Sequence, residues 1–381
     1  MRRIIIQEQA LEAGFDPGLL TKRGYHVEIA ADPSTLERQD EPSSLVLCAA
    51  TNTVQQFSLS EAALAQKLHV DRLLHVRRAA EFSFSLKPNG VLADATIAPT
   101  DREYQTELLS YFLQSIGSVA AGDPATLDLL ALARRIARSP VTVMINGPTG
   151  TGKEVVAQYL HRESARAARP FVAVNCAAVP DSMLEAILFG YERGAFTGAY
   201  QPNKGIFRAA DEGTLLLDEI SEMALSLQSK LLRVLQEREV TPIGGTKSIP
   251  IDLRVVATSN RNMHQEVLRG TFREDLYYRL NVFPIYTTAL CDRPGDIAPI
   301  TAAMIVRHGL DQRALPWVSD AALERLREHR WPGNVRELEN VVQRALLLSD
   351  GGMIEPRHIL FDTPDSPVGL QQHARALAAA V

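Results

Sequence analysis

Three observations predict an α/β protein, two layered parts followed by a helical segment. An apolar run, Val141-Thr-Val-Met-Ile-Asn146, empties into a glycine-rich turn, Gly147-Pro148-Thr149-Gly150-Thr151-Gly152, and then into helix-compatible sequence from Lys153. Further β-prone runs at Pro170–Asn175, Gly213–Asp218 and Leu253–Asn260 are separated by helix-compatible stretches, the alternation expected of a parallel sheet covered by helices. Upstream, the short runs Arg3–Ile6, His26–Ala30, Ser44–Cys48, Arg72–Val76 and Phe82–Leu86 alternate with more polar sequence in the same way.

At 381 residues and 46% apolar content the chain can bury ordinary cores in two or three domains, which excludes a disordered polypeptide. Its net charge of -5 argues against sequence-independent nucleic-acid binding. Cys48, Cys176 and Cys291 are scattered without metal or disulfide spacing and read as core thiols in a reducing compartment. The opening Met-Arg-Arg-Ile-Ile-Ile is too short for a signal-peptide core, and no run reaches membrane-spanning length, so a cytoplasmic protein without membrane contact is expected.

For the first part a flavodoxin-like sheet is expected. It resembles a response-regulator receiver, and Lys87-Pro88 after the fifth run fits that family's Lys-Pro. The family's acidic pair after strand one reads Gln7-Glu8 here, and its phosphoacceptor position falls in Cys48-Ala49-Ala50. The resemblance therefore implies a degenerate domain, residues 1–98, used for contacts or restraint; a plain folded appendage is the alternative. Too few residues separate the fourth and fifth runs for a helix. Residues 88–100 read as a linker, rich in Pro, Gly, Ala and Thr, and Glu103–Ser115 as a connecting helix within residues 99–117.

The chemistry is expected in the next block, residues 118–290. Glycines let successive backbone N–H groups face one concavity, Lys153 sets a cation beside β- and γ-phosphates, and the following helix presents its positive end. Gly147, Pro148, Thr149, Gly150, Thr151, Gly152, Lys153 and Glu154 are thus the candidate ATP cradle, with Glu154 standing where a Ser or Thr hydroxyl would meet Mg²⁺. An apolar strand ending in Asp218-Glu219 suits a P-loop enzyme that holds Mg²⁺ on the first carboxylate and orients water with the second. Between the strands, Gly194-Ala195-Phe196-Thr197-Gly198-Ala199 cannot form a core face; it reads as a loop presenting an aromatic ring to a partner.

Those six residues spell the GAFTGA loop of the sigma-54-dependent transcription activators, a clade of AAA+ ATPases, and Gly-x-x-Gly-Thr-Gly-Lys-Glu is that family's phosphate-loop spelling. The likeness runs from about Ile116 to Leu360 and implies an AAA+ αβα sandwich with a helical lid at 291–361. It further implies ATP hydrolysis with Mg²⁺, a ring, probable in hexameric form, and contact of Phe196 and Thr197 with sigma-54 RNA polymerase. Asn175 matches the family's switch residue for Glu219, with strand-end capping as the alternative; Asn260 resembles its first sensor, or a turn Asn. Arg273 and Arg279 fall in the arginine-finger segment, and Arg336 in Trp331-Pro-Gly-Asn-Val-Arg336 in the second sensor. Surface pairing is the alternative for each arginine, and the spacing of Arg273 and Arg279 puts them on different helix faces. Val240–Ser248 looks like the second pore loop. Ile187, Tyr191 and Cys291-Asp292 depart from the family's usual Glu, His and Arg-Glu.

Candidate lid helices are Ile297–Gly309, Ser319–Glu328 and Gly333–Ser349. Residues 362–381, broken by Pro364 and Pro367, read as a tail too short for a helix-turn-helix, so autonomous sequence-specific DNA binding is not expected. Two functions follow: an ATPase that remodels sigma-54 polymerase, in a branch resembling the flagellar regulators, or a regulatory subunit that joins the ring of a full-length relative.

Overall fold

A computed structural model of the chain describes residues 3–22, 25–39, 43–48, 59–87, 91–114, 119–197, 199–308 and 315–361. The chain divides into two compact units, Met1–Leu127 with Arg293–Val381, and Asp128–Asp292. Among the described residues no helix is long and apolar enough to cross a membrane. Ala49, Ala50, Pro88, Gly198, residues 115–117 and the 362–381 tail lie outside the described residues, and so do the expectations that fall on them.

The first unit opens with strands β1 (Arg3–Gln7), β2 (His26–Ala30), β3 (Ser43–Cys48), β4 (Val70–Arg78), β5 (Ser83–Leu86) and β6 (Leu92–Ile97). They form one sheet in the order β2-β1-β3-β4-β6-β5, with every pairing parallel except β5 with β6. The doubly wound order expected of a flavodoxin-like domain is present, with one correction. The fifth parallel strand is β6, in the stretch read as a linker, whereas the Phe82–Leu86 run is an antiparallel edge strand. Leu92, Ala93, Ala95 and Ile97 are buried, but two of these four are alanines, and small side chains carry little hydrophobic signal. The hairpin also explains why no helix fits between the fourth and fifth runs. Lys87 follows β5 and pairs with Asp94 at 2.9 Å. At the carboxyl ends of β1 and β3 the Gln7 side chain accepts the Cys48 N–H at 2.9 Å, a neutral contact where a receiver would gather charge.

The connecting helix forms over Arg102–Leu113 and packs on the Ile297–His308 helix of the carboxyl-terminal segment. That segment continues with helices Asp320–Glu328 and Asn334–Leu348, close to the expected bounds. Glu103 pairs with Arg327, and the Asp320 N–H donates to Asp101 Oδ1 at 2.9 Å. A buried carboxylate, Asp296, organises the start of the segment. It accepts from the Gly122 and Asp123 N–H groups at 2.8 Å each, from Thr126 Oγ1 at 2.6 Å and from Arg293 at 3.1 Å.

The second unit has strands β7 (Val143–Asn146), β8 (Phe171–Asn175), β9 (Thr214–Asp218), β10 (Glu239–Val240), β11 (Ile249–Pro250), β12 (Arg254–Ser259) and β13 (Phe283–Tyr286). Five of them make a parallel sheet ordered β13-β7-β12-β9-β8, and β10 and β11 form an antiparallel ribbon. Period-two alternation sends neighbouring residues to opposite faces. Leu215, Leu217, Val255 and Ala257 pack with Leu184, Leu188, Leu227, Leu231 and Leu276 on one side. Leu216 and Val256 pack with Ala133, Ile136, Val156 and Leu160 on the other. The sheet is therefore a middle layer between helices, and every strand must end at an edge where polar chemistry is admitted.

Removing the Asp296 carboxylate takes away the acceptor of the Gly122 and Asp123 N–H groups and of the Thr126 hydroxyl, a loss of roughly 1–3 kcal/mol for each donor left unmet. Asp296→Ala should lower the urea midpoint of the unfolding transition accordingly; a shift corresponding to less than about 1 kcal/mol, the scale of an exposed pair, would show that this contact does not organise the segment.

Candidate functional site

Strand pairing sets the site by register: Asn175 lies opposite Asp218 and Ser259 opposite Asn146, so four strands deliver polar side chains to one carboxyl edge. The glycine turn after β7 needs glycine for space and for backbone angle. A Cβ on Gly147 would lie 2.1 Å from Thr287 Oγ1 and 2.5 Å from the Thr287 carbonyl. Gly152 caps the Lys153–Arg162 helix at φ 94°, a left-handed angle that other side chains resist. Thr151 Oγ1 donates to the Pro148 carbonyl at 2.9 Å and sits 2.7 Å from Thr287 Oγ1, which fixes the turn to the end of β13. Lys153 is buried; its ammonium donates to the carbonyls of Gly147 at 3.0 Å and Pro148 at 3.2 Å and lies 3.8 Å from Glu219 Oε1. Pro148, Thr149 and Glu154 are exposed, so the concavity is open to an oxyanion at the helix end.

The two acids beside it are held differently. Thr258 Oγ1 donates to Asp218 Oδ1 at 2.5 Å and accepts the Glu219 N–H at 3.0 Å. The Asn175 amide donates to Asp218 Oδ2 at 3.2 Å, while its carbonyl accepts the Ala177 N–H at 2.8 Å. Glu219 itself sits at φ 53°, ψ 49°, a left-handed conformation that costs a residue with a Cβ about 1–3 kcal/mol. The Asn260 N–H donates to Glu219 Oε2 at 3.3 Å, and the Asn260 amide donates to Thr149 Oγ1 at 3.1 Å. The structure thus brings Lys153, Asn175, Asp218, Glu219 and Asn260 together. Asn175, expected to restrain Glu219, is bonded to Asp218, and the backbone of Asn260 holds Glu219. Thr258 escaped the sequence reading because it sits in an apolar run; its one signal is a hydroxyl on the strand paired with the acid-bearing strand.

Oxygen donors around Asp218 have the chemistry of a hard cation. Among the described residues no group of three or more His, Cys, Asp or Glu could hold a metal alone. A Mg²⁺ shared with phosphate oxygens needs only one or two protein oxygens, which Asp218 supplies. Next to the acids, Cys176 is pushed up to about 12, by burial first and then by Asp218 and Glu219, so it is a protonated thiol at neutral pH.

Arg273 and Arg279 find their partners away from this edge. Arg273 caps the Glu274–Leu280 helix, its guanidinium on Asp275 at 2.7 Å and on Ser229 Oγ at 3.2 Å. Arg279, in that helix's last turn, donates to the Leu235 carbonyl at 2.8 Å. Both side chains are exposed, and both are held by the Leu225–Glu237 helix. Arg336 belongs to the other unit, exposed in the first turn of the Asn334–Leu348 helix.

Residues 194–197 project from a neck. Gly190 and Gly205, both at φ 74°, meet back to back: a Cβ on Gly190 would lie 2.4 Å from the Asn203 carbonyl, and one on Gly205 2.4 Å from the Gly190 nitrogen. Tyr191 and Asn203 exchange backbone hydrogen bonds at 3.0 and 2.9 Å, and the Gly194 N–H donates to the Ala199 carbonyl at 2.8 Å. Beyond the neck Phe196 is 45% exposed and Tyr200 83% exposed, with the Tyr191 ring edge-on to Phe196 at 4.9 Å. The turn between β10 and β11 leans on the same loop: the Glu192 N–H donates to the Ile243 carbonyl at 3.0 Å, and a Cβ on Gly244 would come within 2.9 Å of Ala195 Cβ. Neither neck glycine nor Tyr200 stood out in the sequence.

With this geometry in hand, comparison with known proteins is informative. Residues 119–286 match the sigma-54 interaction domain and residues 291–374 the AAA+ ATPase lid domain. The response regulator protein FleR of Pseudomonas aeruginosa is 54% identical over 244 residues, 64% of this chain and 51% of FleR. The sigma54-dependent transcriptional regulator SfnR of Pseudomonas fluorescens is 48% identical over 262 residues, 67% of this chain and 70% of SfnR. The chain spans about half the length of the curated relatives it matches first, at 51%, 46% and 57%. In fold it is similar to NtrX of Brucella abortus solved with ADP, TM-score 0.60 at 23% identity over 99% of this chain and 91% of that one.

Two outcomes check the site's geometry. Gly190→Ala should open the neck and speed tryptic cleavage after the exposed Arg193; an unchanged cleavage rate would contradict the close packing. In native protein at pH 8 iodoacetamide should label Cys291 and spare Cys176, and fast labelling of Cys176 would show that its thiol is neither buried nor protonated.

Proposed function

This chain belongs to the sigma-54-dependent transcriptional regulators, and from that premise we propose that it hydrolyses ATP and uses the cycle to press the Phe196 loop against sigma-54 RNA polymerase. One observation carries the reading: a phosphate cradle, two acids and an exposed aromatic loop belong to one compact unit. The backbone N–H groups of the turn and the Lys153 ammonium would hold the β- and γ-phosphates. Mg²⁺, held by Asp218, would offset phosphate charge during transfer. Glu219, kept at its angle by Thr258 and Asn260, would orient the attacking water and accept its proton. Asn175 reports on the metal-side carboxylate, and Asn260 connects Glu219 with Thr149 at the cradle's lip.

A cationic partner for the γ-phosphate is supplied in this reading by a neighbouring subunit. Arg273 and Arg279 are exposed cations without a role in their own cradle, which favours a ring, of hexameric form in the family, in which each subunit completes the next one's site. Arg336, on the lid, is assigned the second-sensor role. Gly194, Ala195, Phe196, Thr197, Gly198 and Ala199 make the polymerase contact, in the cytoplasm, and the Asp218-Glu-Ile-Ser-Glu-Met spelling favours promoters of the flagellar branch.

Two substitutions separate the parts. Glu219→Gln should cut ATP turnover by roughly 10²–10⁴-fold while nucleotide binding persists. Phe196→Ala should leave turnover within about twofold, the scale of a surface substitution, and abolish melting of a sigma-54 promoter. Equal loss of turnover and melting in Phe196→Ala would remove the loop from the partner contact.

A further inference from the structure

Gln228 is fully buried in the Leu225–Glu237 helix, and its side chain joins two segments that carry different halves of the proposed chemistry. Its amide donates to the Met223 carbonyl at 2.8 Å and to the Thr271 carbonyl at 3.0 Å. Its carbonyl accepts the Arg273 N–H at 2.8 Å. Both donor hydrogens and the acceptor are therefore used, and a buried amide with every bond made is a stiff connector whose removal leaves unpaired groups behind.

One end of this connector is the acid turn. Glu219 and Met223 belong to a single short turn, closed by the Glu222 N–H on the Glu219 carbonyl at 3.0 Å and the Met223 N–H on the Ile220 carbonyl at 3.2 Å. Glu219 starts that turn in a left-handed conformation, so relaxation of Glu219 displaces the Met223 carbonyl that Gln228 grips. At the other end is Arg273, whose backbone Gln228 holds and whose guanidinium the adjacent Ser229 holds at 3.2 Å. One turn of one helix fixes both the main chain and the side chain of the exposed arginine.

We propose that Gln228 is a positioning residue that aims Arg273 at the neighbouring subunit's nucleotide according to the state of Glu219 in its own subunit. The proposal rests on the ring-ATPase reading. It assigns Gln228 no contact with substrate; its effect runs through Arg273, and therefore falls on the site next door.

Mixed rings read that direction. Subunits with Arg273→Ala keep a complete acid pair but offer no arginine, and subunits with Glu219→Gln offer Arg273 but cannot turn over. Combined, they restore ATP turnover only at sites where the second kind serves the first. Gln228→Leu added to the Glu219→Gln subunit should lower the turnover of the mixture at least tenfold, a modest part of what such an arginine supplies. The same change added to the Arg273→Ala subunit should leave turnover within about twofold of the parent mixture, because Glu219 there is still held by Thr258 and Asn260. Gln228→Glu, which keeps the acceptor for the Arg273 N–H and sets a carboxylate against the Met223 and Thr271 carbonyls, serves if the leucine variant fails to fold and should show the same asymmetry. Equal losses in both placements, or none in either, overturn the proposal. A parent mixture with no turnover, although the unsubstituted chain hydrolyses ATP, overturns the shared-site reading beneath it.

Discussion

The Thr258 hydroxyl is the contact on which the rest of the second unit depends. It gives its hydrogen to Asp218 and takes one from the Glu219 backbone, so one side chain sets the carboxylate of the first acid and the main-chain angle of the second. An extended conformation at Glu219 would send its side chain to the sheet face opposite that of Asp218. The left-handed angle instead turns the carboxylate toward Lys153 and Asn260. Strain of this kind persists only where neighbours over-determine it, and here a strand, the Asn260 backbone and a buried cation do so together.

From that edge packed elements lead outward to the exposed residues. The turn after Glu219 leads through Gln228 to Arg273. Asn175 couples Asp218 to the end of β8, and the Asp181–Phe189 helix that follows runs into the Gly190 neck. Two glycines in contact make that neck a joint of fixed width, because neither backbone has a side chain through which to yield. The β10–β11 turn braces the loop from its other side.

Much of this was legible beforehand because the relevant signals are local. Periodicity found the strands around Val143–Asn146 and Thr214–Asp218, and glycine with lysine at fixed spacing marked the cradle. The misreadings share a different physics. Strand β6 reads as a linker because its alanines and threonine carry little hydrophobic weight, and its burial comes from long-range pairing with β4. Thr258, Gln228 and the Gly190–Gly205 contact each act across more than ten residues, where one sequence offers no sign of proximity. The partner of Asn175 also depends on long-range pairing: Asp218 and Glu219 are adjacent in the chain, and the register of β8 against β9 decides which of them lies opposite Asn175.

The central claim is that nucleotide state at the acid pair moves the Phe196 loop relative to the sheet's helices. Spin labels on Thr197→Cys and Lys230→Cys, in a chain with Cys48→Ser and Cys291→Ser, report that separation directly. Distinct distance distributions with ADP and with a non-hydrolysable ATP analogue are the predicted result. Superimposable distributions, with both nucleotides shown to be bound, would contradict it.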